Sequence, residues 1–177
     1  MPTNIEIKAR IAERRTIEKR AAALADSKLP VIRQEDVFFP VRKGRLKLRC
    51  FGPRRGELIY YEREDSTRPK ASKYLLFPTD RPGELKQALA KALGIIGVVR
   101  KTRHLYLVVN TRIHLDEVEG LGHFLELEVV LSAGQTAREG RKIAESLMEK
   151  LGIQESDLIA GAYVDLLRCQ VRRKARH

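Results

Sequence analysis

Several segments of the chain alternate apolar residues with ionisable ones, and this alternation constrains the fold more than any other feature. In segment 4–11 every odd position is apolar, while Glu6 and Lys8 occupy even positions. Lys47 and Arg49 show the same alternation later in the chain. A period of two is typical of a β-strand, whose successive side chains point to opposite faces. The pattern therefore predicts strands with one apolar face and one charged face.

The same pattern predicts about eight strands, most of them joined by short turns. They cover residues 4–11, 37–41, 45–51, 57–63, 73–78, 98–109, 111–118 and 124–131. A helical period of apolar residues predicts four helices, over residues 12–25, 82–93, 137–151 and about 156–167. Residues 168–177 lose this period and carry five basic residues and no acidic one, which predicts a basic tail without regular structure.

The polar faces of these strands are almost exclusively ionisable, whereas a sheet face that meets water usually mixes charged and uncharged polar residues. Eight antiparallel strands are enough to close a barrel, and the interior of such a barrel can hold one small ligand. We therefore predict an α+β fold, an eight-stranded antiparallel closed β-barrel or tunnel with flanking helices. Residues 1–167 would form this single domain, with the charged faces lining the tunnel.

The net charge of +12 is unevenly distributed along the chain. Residues 1–103 carry 25 basic and 12 acidic side chains, while residues 104–167 carry 5 and 11. A pI of about 10 raises the question of a nucleic-acid partner. The aromatic residues, however, form no spaced stacking platform with basic neighbours, which argues against one. A basic wall beside an acidic wall favours a small polyphosphate ligand whose charge is shared with divalent cations.

Two further features concern the class of protein. No apolar run approaches the roughly 18 residues of a membrane-spanning helix, and the first residues do not resemble a secretory signal. Cys50 and Cys169 are too few for a disulfide framework or a four-ligand zinc site. We expect a cytoplasmic protein, a monomer or homodimer, with no membrane partner.

Four segments resemble the CYTH family, the triphosphate tunnel metalloenzymes. They are NIEIK (4–8), LKLR (46–49), VRKTR (99–103) and IHLDEVEGLGHFLELE (113–128). The family includes class IV adenylate cyclases, thiamine triphosphatases and inorganic triphosphatases. The resemblance covers residues 4–167 and is nearest to the class IV cyclase-like branch. It implies a tunnel whose basic wall holds a triphosphate and whose acidic wall holds one or two Mg²⁺ or Mn²⁺ ions.

The resemblance also implies roles for individual residues. The phosphate-binding side chains would be Lys8, Lys47, Arg49, Arg63, Lys73, Lys101, Arg103 and Arg112. The metal ligands would be Glu6, Asp116, Glu126 and Glu128. The catalytic residues would be Glu6, Lys8, Glu126 and Glu128. One position departs from the family pattern, because Asn4 stands where the family usually has Glu. This departure leaves open an altered metal preference, a different reaction or no catalysis.

Two reactions fit such a site, and both break a phosphoanhydride bond of a triphosphate. Attack by water on the terminal phosphoryl group makes the protein a triphosphatase, which is a hydrolase. Attack by a ribose hydroxyl on the α-phosphorus gives cyclic AMP and pyrophosphate, which makes it an adenylate cyclase, a lyase. The expected substrates are ATP, thiamine triphosphate or tripolyphosphate. The alternative is a non-catalytic triphosphate- or polyphosphate-binding protein, and a nucleic-acid-binding protein is a distant third.

Overall fold

Nine β-strands and four α-helices make up residues 3–174, the part of the chain that the computed structural model describes. The strands are β1 (Thr3–Arg10), β2 (Ser27–Lys28), β3 (Ile32–Phe39), β4 (Arg45–Gly52), β5 (Arg55–Arg63), β6 (Lys70–Thr79), β7 (Gly97–Val108), β8 (Thr111–Val118) and β9 (Gly122–Val130). The helices are α1 (Arg14–Leu24), α2 (Pro82–Leu93), α3 (Ala137–Leu151) and α4 (Tyr163–Lys174), with a 3₁₀ turn at Glu155–Asp157. None of the helices in this range has both the length and the hydropathy of a bilayer-spanning segment.

Eight of the strands close into a barrel. Starting from β7, the order is β3, β4, β5, β6, β1, β9 and β8, and β8 pairs with β7 again. Every pairing in this ring is antiparallel. The two-residue strand β2 pairs only with β7. The predicted α+β fold, an eight-stranded antiparallel closed barrel with flanking helices, is confirmed.

The alternation seen in the sequence decides which face of each strand points inward. In β1, Ile5, Ile7 and Ala9 are buried against the apolar side chains outside the barrel. Glu6 and Lys8, on the opposite face, line the interior. The main hydrophobic core therefore lies between the sheet and the helices, and the barrel interior is left to charged side chains.

Three helices cover the outer face of the barrel. Helices α1 and α3 bury Ile17 and Leu147 against the outer faces of β1, β7, β8 and β9, while α2 packs against β3 and β4. Helix α3 begins with a capping box between Thr136 and Glu139, which satisfies free backbone amides at its start. It ends at Gly152 in a left-handed conformation that glycine adopts without steric cost. These end signals explain why its predicted bounds, 137–151, agree with the structure.

The helix predicted over residues 156–167 is confirmed only for residues 163–167, because α4 begins at Tyr163. After the 3₁₀ turn the chain is extended, because the amide of Ile159 donates a hydrogen bond to the carbonyl of Lys8, at 2.9 Å. The chain is thereby held beside β1 before it coils into α4. The start of α4 is fixed by the carboxylate of Asp165, which accepts a hydrogen bond from the amide of Ala162 at 2.9 Å.

Helix α4 also extends further than the sequence suggested. It continues to Lys174, so residues 168–174 are helical and the prediction that they lack regular structure is wrong. Arg, Leu, Lys and Gln are good helix formers, and basic residues in a last helical turn interact favourably with the helix dipole. Residues 175–177 of the predicted tail lie outside the described residues.

Candidate functional site

The barrel interior contains a cavity of about 520 Å³. Its basic lining residues are Lys8, Lys47, Arg49, Arg55, Arg63, Lys101, Arg103 and Arg112. Its acidic lining residues are Glu6, Asp36, Glu57, Glu126 and Glu128. Ala162 and Tyr163, at the start of α4, line one end. The cavity is thus lined by charged side chains of the strands and is closed at one end, its floor, by Ala162 and Tyr163 at the start of α4.

The acidic wall is formed where β1 and β9 pair. Glu6 lies directly opposite Glu128, and Lys8 lies directly opposite Glu126. Residues directly opposite each other in an antiparallel pair have their side chains on the same face of the sheet. All four side chains line the cavity, so the structure brings together the four residues that were predicted to be catalytic.

Each carboxylate of this wall has a basic partner. Glu6 is paired with Arg63 at 3.0 Å. Glu126 is paired with Lys8 at 3.1 Å and with Arg103 at 2.6 Å. Burial alone would raise the pKa of Glu126, but Lys8, Lys101 and Arg103 together hold it well below its usual range. Burial in turn lowers the pKa of Lys8, and Glu126 opposes only part of that shift.

Glu128 has three polar neighbours. Arg112 and His114 approach its Oε2 at 3.1 and 3.2 Å, and the amide nitrogen of Asn4 donates a hydrogen bond to its Oε1. Burial raises the pKa of Glu128, but His114 and Arg112 outweigh it and lower the pKa to about 2. The carboxylate is therefore ionised at neutral pH. Asn4 Oδ1 is buried and has no hydrogen-bond partner among the described residues.

Asp36 is a cavity residue that sequence reasoning missed. It forms ion pairs with Lys47 at 2.8 Å and with Arg49 at 2.9 Å, and it accepts a hydrogen bond from Gln34 at 3.0 Å. Burial opposes ionisation of Asp36, but Arg49 and Lys47 hold its pKa well below the usual range. The alternation of Gln34, Asp36 and Phe38 was the available signal. The predicted strand began at residue 37, five residues after the observed start of β3, so the signal was lost.

Asp116 lies directly behind the side chains that line the cavity. Its side chain is fully buried and does not line the cavity. It accepts hydrogen bonds from Arg103 at 2.6 Å, from Lys101 at 2.9 Å and from the Tyr163 hydroxyl at 3.0 Å. Arg103 Nη2 lies 2.6 Å from both Asp116 and Glu126, so Asp116 is close to this predicted metal ligand, and it is the counter-charge that fixes Lys101 and Arg103.

Lys73 is not an interior residue, and its predicted role as a phosphate ligand is wrong. It lies opposite Thr3 and Glu62 on the outer face of β6 and does not line the interior cavity. Lys70, opposite Glu6, is on the inner face of β6, but its amine donates a hydrogen bond to the carbonyl of Ser66 and it lines the neighbouring pocket rather than the cavity. The predicted strand began at residue 73, so Lys70 was missed. Burial and the charge of Arg63 lower the pKa of Lys70 to about 8.

The remaining predicted phosphate ligands are brought together, because Lys8, Lys47, Arg49, Arg63, Lys101, Arg103 and Arg112 all line the one cavity. Burial and the charge of Arg49 lower the pKa of Lys47 to about 8, which Asp36 only partly offsets. Arginine presents a fork of donors that matches phosphate oxygens, and lysine supplies a point charge. The cavity can therefore receive a highly charged phosphate chain.

The donor chemistry of the acidic wall fits a hard divalent cation. Across residues 3–174, no three Asp, Glu, His or Cys side chains are grouped as a metal site. Mg²⁺, however, is usually held by one or two carboxylates together with substrate phosphates and water, so it needs no cage made of protein alone. Glu6, Glu126 and Glu128 provide carboxylate oxygens on two paired strands inside the phosphate-binding cavity.

The sequence matches one family model over almost its whole length. The model is that of the CYTH domain, and it covers residues 2–163. The chain is a member of the CYTH family. This membership agrees with the resemblance of the four sequence segments and with the charged barrel interior.

Relatives of this CYTH protein share its fold. A protein of Pyrococcus horikoshii OT3 with a solved structure is 28% identical, covers 92% of this chain and 98% of its own, and superposes with a TM-score of 0.81. A plant protein of Hippeastrum, 15% identical over 86% of this chain and 89% of its own, superposes with a TM-score of 0.61. It is named a putative adenylyl cyclase with a dominant triphosphatase activity.

A curated relative gives a partial match. The protein of Methanocaldococcus jannaschii named as a putative adenylate cyclase is 35% identical over 88 residues. The match spans 47% of this chain and 49% of that relative, so it covers only about half of either protein. The chain thus shares its fold with a protein named for triphosphatase activity, and about half of it matches a protein named as a putative adenylate cyclase.

Proposed function

We propose that this CYTH protein binds a small triphosphate-bearing molecule inside the barrel and, with Mg²⁺ or Mn²⁺, cleaves one of its phosphoanhydride bonds. The observation that carries the proposal is the single cavity that holds seven of the predicted phosphate ligands beside Glu6, Glu126 and Glu128. Phosphoryl transfer depends mainly on positioning and on electrostatic stabilisation, which a rigid charged cavity supplies.

Binding would proceed by exchange of ion-pair partners. Arg63, Lys8 and Arg112 each hold a carboxylate of the acidic wall. Phosphate oxygens entering the cavity would take the place of these carboxylates and satisfy the same donors. Lys47 and Arg49 would reach the ligand while Asp36 keeps them oriented.

The carboxylates released by this exchange are the residues that would hold the metal, namely Glu6, Glu126 and Glu128. A bound divalent cation would supply charge neutralisation and polarise a phosphoryl oxygen. Lys8 and Arg103, which contact Glu126, would stay beside the reacting phosphate and stabilise the negative charge that develops on it.

The proposal is tested by a substrate panel. The purified protein is incubated with Mg²⁺ or Mn²⁺ and tripolyphosphate, thiamine triphosphate or ATP, and the products are scored as phosphate, pyrophosphate and cyclic AMP. Release of phosphate indicates hydrolysis, and cyclic AMP with pyrophosphate indicates cyclisation. The Glu126→Gln/Glu128→Gln double variant should lose turnover and keep its fold by circular dichroism. Turnover equal to that of the parent protein would mean that the acidic wall is misassigned.

Asn4 supports a second candidate, a triphosphate-binding protein without catalysis. Its amide donates a hydrogen bond to Glu128 where a carboxylate would add negative charge. A wall with one fewer carboxylate attracts a divalent cation less strongly. Substitution Asn4→Glu separates the candidates, because a marked rise in turnover would show that the parent site lacks a metal ligand. Tight triphosphate binding with no product in either protein would favour the binding function.

A further inference from the structure

Residues 161–163, which we call the floor segment, contact basic side chains of the barrel through groups that carry no charge. The backbone carbonyl of Gly161 accepts hydrogen bonds from Lys8 Nζ at 3.3 Å and from Arg63 Nη2 at 3.0 Å. The centroid of the Tyr163 ring is 3.8 Å from Lys8 Nζ and 4.8 Å from Lys101 Nζ. A peptide carbonyl and an aromatic face both attract cations although they are neutral. Three of the expected phosphate ligands therefore contact the floor segment.

The floor segment is itself held in place by buried contacts. The Tyr163 hydroxyl donates a hydrogen bond to Asp116 at 3.0 Å, and the ring packs against Phe124 with 4.9 Å between the centroids. The amide of Ala162 donates a hydrogen bond to Asp165 at 2.9 Å. The segment thus presents its ring and its carbonyl in fixed positions.

Two of these basic side chains are also paired with carboxylates of the acidic wall. Lys8 lies 3.1 Å from Glu126, and Arg63 lies 3.0 Å from Glu6. Under the proposed function, these carboxylates leave their basic partners and hold the divalent cation. The neutral groups of the floor segment do not repel phosphate, so they can keep their contacts with the same cations while the ligand is bound.

We propose that the floor segment positions phosphate ligands of the barrel, and that the Tyr163 ring keeps Lys8 directed at the phosphate once Glu126 holds the metal. Tyr163 is thus a positioning residue. The inference rests on the proposed function, because it requires that exchange of partners. A lysine that is ordered before and after the exchange loses little conformational entropy on binding, so a contact that orders it raises the affinity.

The proposal implies that the ring matters more in the complex than in the free protein. In the free protein, Glu126 holds Lys8 whether the ring attracts the amine strongly or weakly. In the complex that carboxylate is engaged by the metal, and the floor segment is what anchors Lys8 on the side away from the phosphate. Weakening the ring contact should therefore lower the affinity for the ligand.

The test weakens this contact while nearly preserving the size of the ring. Tyr163 is replaced by trifluorophenylalanine through suppression of a stop codon, because fluorine atoms withdraw electron density from the ring face that attracts the amine. The reference is Tyr163→Phe, which lacks the hydroxyl as well. The matched control is the same replacement at Phe124, whose ring packs against Tyr163 but lies 4.7 Å from the guanidinium carbon of Arg10.

Titration calorimetry in Mg²⁺ uses a tripolyphosphate analogue whose bridging oxygens are replaced by methylene groups, so that it cannot be cleaved. The fluorinated ring at position 163 should weaken binding by about five- to tenfold relative to Tyr163→Phe, as expected for a cation–π contact out of water. The fluorinated ring at position 124 should change the affinity by less than about twofold. Tyr163→Phe should bind within about threefold of the parent protein but unfold at a lower urea concentration, because Asp116 loses a hydrogen bond.

A second background separates positioning from packing. In Glu126→Gln, Lys8 lacks the carboxylate that it would exchange for phosphate, so the ring holds it in the free protein and in the complex alike. Weakening the ring should then change the affinity by less than about twofold. A ring that only packs against its neighbours would give the same loss in both backgrounds.

Two results would overturn the inference while leaving the proposed function in place. One is equal affinity of Tyr163→Phe and its fluorinated counterpart, and the other is an equal loss of affinity with and without Glu126→Gln. Failure of the parent protein to bind the analogue would instead contradict the proposed function itself.

Discussion

Asp116 connects two basic strand residues to the C-terminal helix. Lys101, Arg103 and the hydroxyl of Tyr163 all donate hydrogen bonds to it in a fully buried position. A buried charge pair contributes to stability mainly through the cost of leaving one partner alone. At the scale of a single residue, the loss of Asp116 should therefore destabilise the fold strongly.

We expect Asp116→Asn to lower the free energy of unfolding by about 3 kcal/mol, because buried Lys101 loses its counter-charge and Arg103 keeps only Glu126. Urea denaturation at pH 7 measures this loss. The matched control is Glu117→Gln, next in the chain, whose exposed pair with Arg14 at 3.4 Å should contribute less than about 1 kcal/mol. Equal effects of the two substitutions would contradict the structural role of Asp116.

The same residue predicts how stability depends on pH. Arg103 and Lys101 hold the pKa of Asp116 below its ordinary value against the effect of burial. A carboxyl with a depressed pKa in the folded state stabilises the fold at a pH above its unfolded pKa of about 3.9, and this contribution falls as the pH drops toward the folded pKa. The difference in unfolding free energy between the parent protein and Asp116→Asn should therefore shrink below about pH 4. A difference that stays constant from pH 7 to pH 3 would contradict this assignment.

Lys47 predicts the pH dependence of ligand binding. Its pKa is lowered to about 8 by burial and by Arg49, so the free protein loses this positive charge as the pH rises through 8. The affinity of the parent protein for an uncleavable tripolyphosphate analogue should fall by several-fold between pH 7 and pH 9 relative to that of Lys47→Arg, because the ionisation of the ligand itself is the same for both proteins. Lys47→Arg keeps its charge throughout, so its calorimetric profile should be flatter. Parallel profiles would show that Lys47 does not contact the ligand.

At the scale of elements, α3 approaches the barrel closely through a glycine. A Cβ at Gly140 would lie 2.6 Å from a side-chain carbon of Leu131 and 2.7 Å from one of Ile5. Both neighbours belong to the apolar cluster between α3 and the sheet. The helix packs against β1 at this distance only because residue 140 has no side chain.

Gly140→Ala should therefore lower the melting temperature although alanine is the better helix former. The helix preference of alanine over glycine is about 1 kcal/mol, whereas overpacking a core costs about 1 to 3 kcal/mol. Arg138→Ala, at an exposed position of the same helix, serves as the control and should change the melting temperature little. Thermal denaturation followed by circular dichroism measures both, and a more stable Gly140→Ala protein would show that the contact relaxes freely.

At the scale of the whole molecule, the net charge of +12 conceals a barrel interior that is largely neutralised by its own ion pairs. Ligand and metal would each take one partner from these pairs. Binding of the ligand would release carboxylates that can hold the metal, and binding of the metal would release basic side chains that can hold the ligand. The two binding events should therefore be coupled, and each should strengthen the other by the same factor.

We expect Mg²⁺ to raise the affinity for an uncleavable tripolyphosphate analogue by about tenfold or more, and chelation by EDTA to remove the gain. In Glu126→Gln/Glu128→Gln the gain should be lost. The affinity measured in EDTA should be equal to or higher than that of the parent protein, because two carboxylates that repel phosphate are gone. Because free Mg²⁺ also binds the analogue in solution, both proteins are measured in identical solutions, where this contribution to the apparent affinity is the same. An equal gain in both proteins would contradict the coupling.

The alternation of charged and apolar residues was enough to predict the eight strands and the closed barrel. A side-chain period of two fixes which residues share a face, and an all-ionisable face demands an interior that can hold charge. The bounds of α3, residues 137–151, were also predictable, because the capping of its ends at Thr136 and Gly152 is a local interaction. Alternation also placed Glu6, Lys8 and Glu126 on inner faces, and the family motif proposed their roles.

The tertiary structure decided which charged side chains meet and which of them line the cavity, and the local sequence pattern does not contain this information. Lys73 was assigned to the wrong face, because only pairing with β1 shows that Lys70 lies opposite the inward-facing Glu6 and that Lys73, three residues later, faces outward. Asp36 and Asp116 are both aspartates on strands, yet one lines the cavity and the other is buried behind it. That difference depends on where α4 crosses the barrel end and places the Tyr163 hydroxyl on Asp116. The sequence by itself determined the faces of the strands, because alternation is local. The barrel and α4 decided which charges meet, because ion pairs join residues far apart in the chain.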